Sequence, residues 1–364
     1  MVLLREALTT DSIDQAITAA IGEGIFPGAA VQIQKGDAIL KRAAYGHGVL
    51  YANERIRLDS PVPATVETRF DLASLTKVVT TVGLLQLAER GAVLLDEPVA
   101  AYLPDFGRRE KRFITVRQLL THTSGLPAGR PFYRHLHNAH AIVRAVAHVR
   151  PAGRPGEHVL YSDLNFIAAG ALVSSVAGMP LDRYLTTHLF EPLGMRRTGY
   201  RPRPEHRPQI AATEHQPGRG LVWGSVHDEN AAAMDGVSGH AGLFSTADDL
   251  AVFCAMLLNQ GRHAELRILQ PITIHAMFSL QTGALAPARS LGWVCNDPSW
   301  MGTMASPHAF GHTGFTGASI VLDLQRRLSV ILLTNRVHPH RAGPSLAPIR
   351  AAVATAAAAW EGKD

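Results

Sequence analysis

The sequence predicts an α+β fold, an antiparallel sheet flanked by terminal helices with a large, mostly helical insertion. Three observations predict it. Strand-like runs come in pairs near both ends of the chain, each pair joined by a short turn. Helical periodicity brackets those pairs at the two termini. The middle of the chain carries helices and long loops instead.

Ser12 to Gly22 opens the chain with apolar residues at helical spacing: Ile13, Ala16, Ile17, Ala20 and Ile21. Two strand-like runs follow, Ala29–Gln34 and Ala38–Tyr45, separated by Lys35-Gly36-Asp37, a plausible hairpin turn. Leu75 to Arg90 reads as a helix with apolar residues on nearly every face, which marks it as buried, and Gly91 stops it. In the middle, Asp163–Gly178 and Ala247–Gly261 read as helices, with Asp163 and Thr246 as N-cap candidates. Gly125–His140 and Arg201–Arg219 read as surface loops. The end returns to strands, Gly311–Leu324 and Leu328–Asn335, and closes with an Ala-rich helix, Ile349 to Trp360. The expectation is one catalytic domain, 1–364, with an α/β lobe (1–73 with 290–364) and a mostly helical lobe (74–289). The join between lobes is a natural place for a cleft.

Composition excludes several classes. A 46% hydrophobic and 18% charged chain is globular. The net charge of +5 is spread over 364 residues, and its densest cluster, 108–112, is broken by Glu110, so no nucleic-acid surface is expected. No apolar run reaches membrane-spanning length. Cys254 and Cys295 make no disulfide framework, and Cys254 lies in an apolar helical run that suits a buried thiol. Met1-Val-Leu-Leu-Arg-Glu lacks the features of a signal peptide. The expected compartment is cytoplasmic for the sequence as it stands, or periplasmic or secreted where an export signal has been removed.

Three short segments carry chemistry. Ser74 begins the Leu75–Arg90 helix and Lys77 follows three residues later, on the same face. A serine hydroxyl is a weak nucleophile until a neighbour takes its proton, and a lysine with a depressed pKa can do so. The chain has 5 lysines against 30 arginines, so a lysine here is a choice: arginine cannot serve as a base. With 17 serines, however, some Ser-x-x-Lys arises by chance in about one such chain in four. Tyr161-Ser162-Asp163 precedes a helix, where Tyr161 could shuttle protons or simply pack while its neighbours cap. His312-Thr313-Gly314 lies on an expected strand, where a glycine lets a ligand approach the backbone and the Phe315 N–H could serve as an oxyanion donor.

Together, Ser74-Leu-Thr-Lys77, Tyr161-Ser-Asp163 and His312-Thr-Gly314 resemble the three motifs of the serine β-lactamase and penicillin-binding protein superfamily. The group most similar in character comprises class C β-lactamases, DD-carboxypeptidases and family VIII carboxylesterases. The likeness runs from about residue 20 to 335 and includes Leu94–Pro104, Leu119–Leu126 and Gly239–Ser245. It implies a β-lactamase/transpeptidase-like fold and a covalent acyl-Ser74 intermediate. Lys77 and Tyr161 would share the proton transfers, and the N–H groups of Ser74 and Phe315 would form the oxyanion hole. His312, Thr313 and Gly314 would lie along the substrate. The substrate would be a small ester, a β-lactam or a D-amino-acid peptide, with no cofactor and no metal. The alternative is a penicillin-binding-protein-like sensor that acylates slowly without efficient turnover.

Two departures from the family pattern matter. The third motif usually opens with lysine, and His312 is mostly neutral at pH 7, so an ammonium for a substrate carboxylate is missing. Asp163 stands where many β-lactamases have asparagine; it would repel an anionic substrate or pair with Lys77, and Asn165 would take over the amide's role. Both point away from an efficient β-lactamase and towards esters or slowly processed D-amino-acid peptides. Val226-His-Asp-Glu-Asn230, ahead of Gly236–Ser245, also resembles a subgroup of these hydrolases, and Glu229 and His240 are placed near the cleft. The chain has no Gly-x-Ser-x-Gly and no His-Glu-x-x-His. Its His135-Leu-His137-Asn-Ala139-His140 has alanine where a zinc site of that spacing needs aspartate.

Overall fold

The hydrophobic runs at the two ends of the chain pair into one seven-stranded antiparallel sheet, seen in a computed structural model that describes residues 10–360. Its strands are β1 (Gly28–Lys35), β2 (Ala38–Tyr51), β3 (Arg57–Pro63), β4 (Val294–Cys295), β5 (Ala309–Thr313), β6 (Ser319–Asp323) and β7 (Leu328–Thr334). Their order across the sheet is β4-β5-β6-β7-β1-β2-β3, so the N-terminal hairpin joins the C-terminal strands through β1 and β7. The register places Ala29 opposite Thr334 on one side and Tyr45 on the other.

Both faces of the central strands β1, β6 and β7 are buried, and the two-residue alternation decides which residue goes where. Ala29, Val31 and Ile33 of β1, with Val330 and Leu332 of β7, face a cluster built with Ile13 and Ile17 of α1 (Thr10–Gly22) and Val353 and Ala357 of α5 (Ala347–Ala359). Ala30, Ile320 and Ile331 point the other way. Their cluster runs on into α2 (Thr76–Glu89), α3 (Asp163–Ala177) and α4 (Ala247–Leu258). One core thus joins the sheet to the helical part of the chain. Among the described residues no single helix is long and apolar enough to cross a membrane. Cys254 and Cys295 are free thiols, the first buried. Met1 to Glu6, on which the expectation about an export signal rests, lies outside the described residues.

Two local expectations are corrected. The single strand expected over Gly311–Leu324 is a hairpin, β5 and β6, with the turn at 314–318, where Gly317 has φ +114. Asp163 is the first residue of α3 rather than its cap; Ser162 holds the cap position and makes no side-chain capping bond. Thr246 does cap α4, accepting from the Asp249 N–H. The reason for the difference lies in the site, where the Asp163 carboxylate has another partner.

Candidate active site

Strand-to-helix geometry sets up Ser74. The preceding Ala73 has φ +45, an uncommon conformation for a residue with a Cβ, costing about 1–3 kcal/mol and found where surrounding contacts impose it. Asp71 supplies those contacts. Its buried carboxylate accepts from the Ala73 N–H (2.8 Å) and the His227 N–H (2.7 Å), while its carbonyl accepts from Thr316 Oγ1 (2.6 Å). One residue therefore ties the Ser74 turn, the 227–228 segment and the β5–β6 turn together. Gly314 completes the approach: a Cβ there would sit 2.5 Å from the Leu72 carbonyl oxygen. This brings Phe315 beside the Ser74 turn, and the Ser74 and Phe315 N–H groups have no acceptor among the described residues.

Lys77 is fully buried on α2. Its Nζ lies 2.7 Å from Ser74 Oγ, 2.8 Å from Asp163 Oδ1 and 3.2 Å from the His240 carbonyl oxygen. It also stands 4.9 Å from the centroid of the Tyr161 ring. The His240 carbonyl reaches it because the 239–240 backbone is laid tightly against α3; a Cβ at Gly239 would meet the Phe166 carbonyl oxygen at 2.2 Å. Burial acts to lower the Lys77 pKa, but Asp163 and Tyr161 outweigh it, and the pKa is raised. The depressed value expected of a free base is thus not found in the resting site. Of the two roles open to Asp163, pairing with Lys77 is the one realised.

Tyr161 is held between two histidines. His122 packs on its ring at 4.6 Å and His312 lies 6.1 Å away. His122 has φ +57, is fully buried, and accepts the Ser162 N–H at Nδ1 (3.0 Å). Burial first, then Arg289, Lys77 and His312, hold its pKa well below 6.5, so the ring is neutral. His312 is buried as well; its Nδ1 lies 2.9 Å from the Thr313 carbonyl oxygen, and burial, Lys77 and Arg289 likewise keep it neutral.

A cavity of about 780 Å³ opens over these groups, lined by Ser74, Tyr161, Asp163, Glu229, His240, His312, Thr313, Gly314 and Phe315 among others. Asn165 is the exception among the expected site residues. It is fully buried and does not line the cavity; its side chain meets Ser124 Oγ (2.5 Å) and His122 Nδ1 (3.3 Å), supporting the loop under Tyr161. Glu229 lines the cavity but is bound to Arg341, which also holds the buried Glu214. His240 bonds Ser238 Oγ through Nδ1 (2.7 Å) and Asp228 through Nε2 (2.9 Å). Burial opposes the Asp228 charge, but His240, the Ala231 N–H and Lys77 overcome it and lower its pKa. Asp163, Asp228 and His240 place three potential metal donors within 4.8 Å of one another. Asp163 already faces the Lys77 ammonium, and Asp228 and His240 are bonded to each other.

Sequence reasoning missed His122, Asp71, Asp228 and Arg289. His122 and Asp228 lie inside stretches that carry the family likeness, and that was the available signal. Arg289 is one of 30 arginines and had none.

The Beta-lactamase family model matches residues 13–355. The chain belongs to that family, and it is a hydrolase of the β-lactamase-related type. It is 34% identical to the N-acetylmuramyl-L-alanine amidase of Bacillus subtilis (strain 168), over 90% of this chain and 80% of that one. It is 33% identical to a protein of Escherichia coli (strain K12) named "Putative D-alanyl-D-alanine carboxypeptidase", over 93% of this chain and 85% of that one. Among solved structures it resembles EstCE1, a hydrolase with promiscuous acyltransferase activity, with TM-score 0.74, 25% identity, and coverage of 97% and 100% of the two chains. A class C β-lactamase from Rhodobacter sphaeroides shares the fold, with TM-score 0.73 and 20% identity over 95% of this chain and 97% of that one.

Proposed function

We propose that this protein cleaves small amides and esters through a covalent acyl-Ser74 intermediate, and that D-amino-acid peptides of the cell-wall kind are its natural substrate class. One observation carries the mechanism: Ser74 Oγ stands 2.7 Å from a lysine amine at the floor of an open cavity. The resting amine is held protonated, so only in the fraction of molecules whose ammonium has first released its own proton to solvent does Lys77 accept the Ser74 proton as the hydroxyl attacks the carbonyl carbon. The Ser74 and Phe315 N–H groups stabilise the oxyanion that forms. Tyr161, against Lys77, returns a proton to the departing amine or alcohol. Water then attacks the acyl ester and frees Ser74.

The names of the two curated relatives, an amidase and a carboxypeptidase, support a peptide-like amide over a simple ester. Esters remain useful probes because their leaving groups depart more readily. The Lys77–Asp163 pair favours a second reading, slow acylation without efficient turnover, because the base is held protonated at rest. Hydrolysis of short-chain p-nitrophenyl esters separates these readings. Steady turnover that vanishes in Ser74→Ala supports the hydrolase. A single burst of one equivalent supports the slow acylator. Undiminished turnover in Ser74→Ala refutes both.

A further inference from the structure

A second cavity, of about 700 Å³, shares no lining residue with the catalytic one. A small three-stranded sheet gathers its walls. Arg69 precedes the strand Phe70–Asp71 and Arg201 follows the strand Gly199–Tyr200, and both strands pair with Leu243–Ser245. Arg196 and Arg197 lead into the Gly199–Tyr200 strand, Arg203 follows it, and Arg183 lies on the short helix Leu181–Leu185. Six of the fifteen lining residues are thus arginines, against 30 in the 364 residues of the chain, a proportion that composition alone does not supply.

The charges in this cavity do not cancel. Arg197 pairs with Glu67 (2.7 Å), Arg201 with Asp182 and Asp235, and Arg203 with Glu205 (3.8 Å). Asp182 is the one carboxylate in the lining, and Arg201 holds it. Asp249 accepts from the Arg197 N–H and from Thr198 Oγ1, both at 2.8 Å. Arg69, Arg183 and Arg196 make no ion pair among the described residues. Arg183 and Arg196 are exposed, while Arg69 is half-buried and its Nε is a buried donor with no acceptor among the described residues. Burial, and then the charge of Arg197, hold the Arg69 pKa below the ordinary arginine value. A buried donor without an acceptor costs free energy, and like charges held together cost more.

We propose that this cavity is a binding site for a phosphoryl group, carried on a small organic molecule or free in solution. A carboxylate offers two oxygens in one plane and satisfies one guanidinium fork. A phosphate offers oxygens around a tetrahedral centre and up to two negative charges, so it can engage several forks at once. The site is concave, which suits a small ligand. It is independent of acyl transfer at Ser74.

The test reads binding. Titration calorimetry of the whole protein with inorganic phosphate and with glucose 1-phosphate, in low-salt buffer, gives one site per chain. Arg183→Gln combined with Arg196→Gln weakens binding at least about tenfold, and Arg69→Gln does the same. Should Arg69→Gln fail to fold, the exposed pair reads the same loss, and an unchanged melting temperature shows that the pair is folded. Arg108→Gln combined with Arg112→Gln removes the same charge elsewhere and leaves the affinity within about twofold. Tighter binding of glucose 1-phosphate assigns the site to a phosphate ester and equal binding to the free ion; either supports the proposal. No binding of either probe overturns it, as does a loss no larger than in the Arg108 and Arg112 control. Binding seen only with an oligonucleotide or with phosphatidylglycerol vesicles also overturns it.

Discussion

Replacing Asp163 by asparagine removes the charge that keeps Lys77 protonated while leaving a side chain of the same shape. At 2.8 Å, two unit charges attract by about 6 kcal/mol at an effective dielectric of 20. Asp163 is 34% exposed, so water screens one side of the pair and a few-fold reduction is appropriate. That leaves roughly 1.5–3 kcal/mol of attraction favouring the charged amine. The sign follows from the carboxylate's effect: it raises the pKa, so its loss lowers it, and the neutral amine is present at lower pH. The acid limb of the kcat/KM profile for a p-nitrophenyl ester, followed from pH 6 to 10, therefore moves to lower pH in Asp163→Asn. An acid limb that stays in place, or moves up, refutes Lys77 as the titrating base.

Other outcomes follow from the same geometry. Lys77→Arg keeps the charge but not the base, so ester turnover falls at least about a hundredfold; near wild-type rates would contradict the proton-transfer role. His312→Lys adds a cation facing Lys77 and Arg289, so the melting temperature drops while acylation by an anionic penicillin rises; an unchanged melting temperature would count against the crowding of charge described here. Asp71→Ala strips the partners from two buried N–H groups and costs about 2–4 kcal/mol in a denaturant titration; a loss under 1 kcal/mol would show that the Ser74 turn holds itself. His122 and His312 have folded pKa values well below their unfolded value of about 6.5. Below that pH the unfolded chain binds protons the native one does not, so stability is lost on acidification, by up to about 1.4 kcal/mol per pH unit for each ring. A melting temperature that is flat from pH 7 to pH 5 would contradict the burial of these neutral rings.

The fold was legible because its information is local. β1 and the start of β2 alternate, α1 carries apolar residues at helical spacing, α2 is apolar on nearly every face, β7 is a short apolar run, and the C-terminal helix is Ala-rich. Edge strand β3 was not, since Pro61 and Pro63 and its half-exposed residues disguise it. The β5–β6 turn was hidden because Gly314 to Gly317 reads equally well as a strand with glycines. Ser74, Lys77, Tyr161 and His312 were legible as three motifs in order. What the motifs could not convey was partnership. That Asp163 goes to Lys77 rather than to the α3 cap, and that Asn165 goes under the cavity rather than into it, depends on which helix packs on which. Arg289 joins the site through the sheet, with nothing local to distinguish it.

The central claim is that acyl transfer passes through Ser74. Intact-protein mass spectrometry after brief incubation with a penicillin and with an active ester tests it most directly. The expected result is an adduct of one acyl group that maps to the peptide containing Ser74 and is absent in Ser74→Ala. An adduct on any other residue, or one that persists in Ser74→Ala, would contradict it.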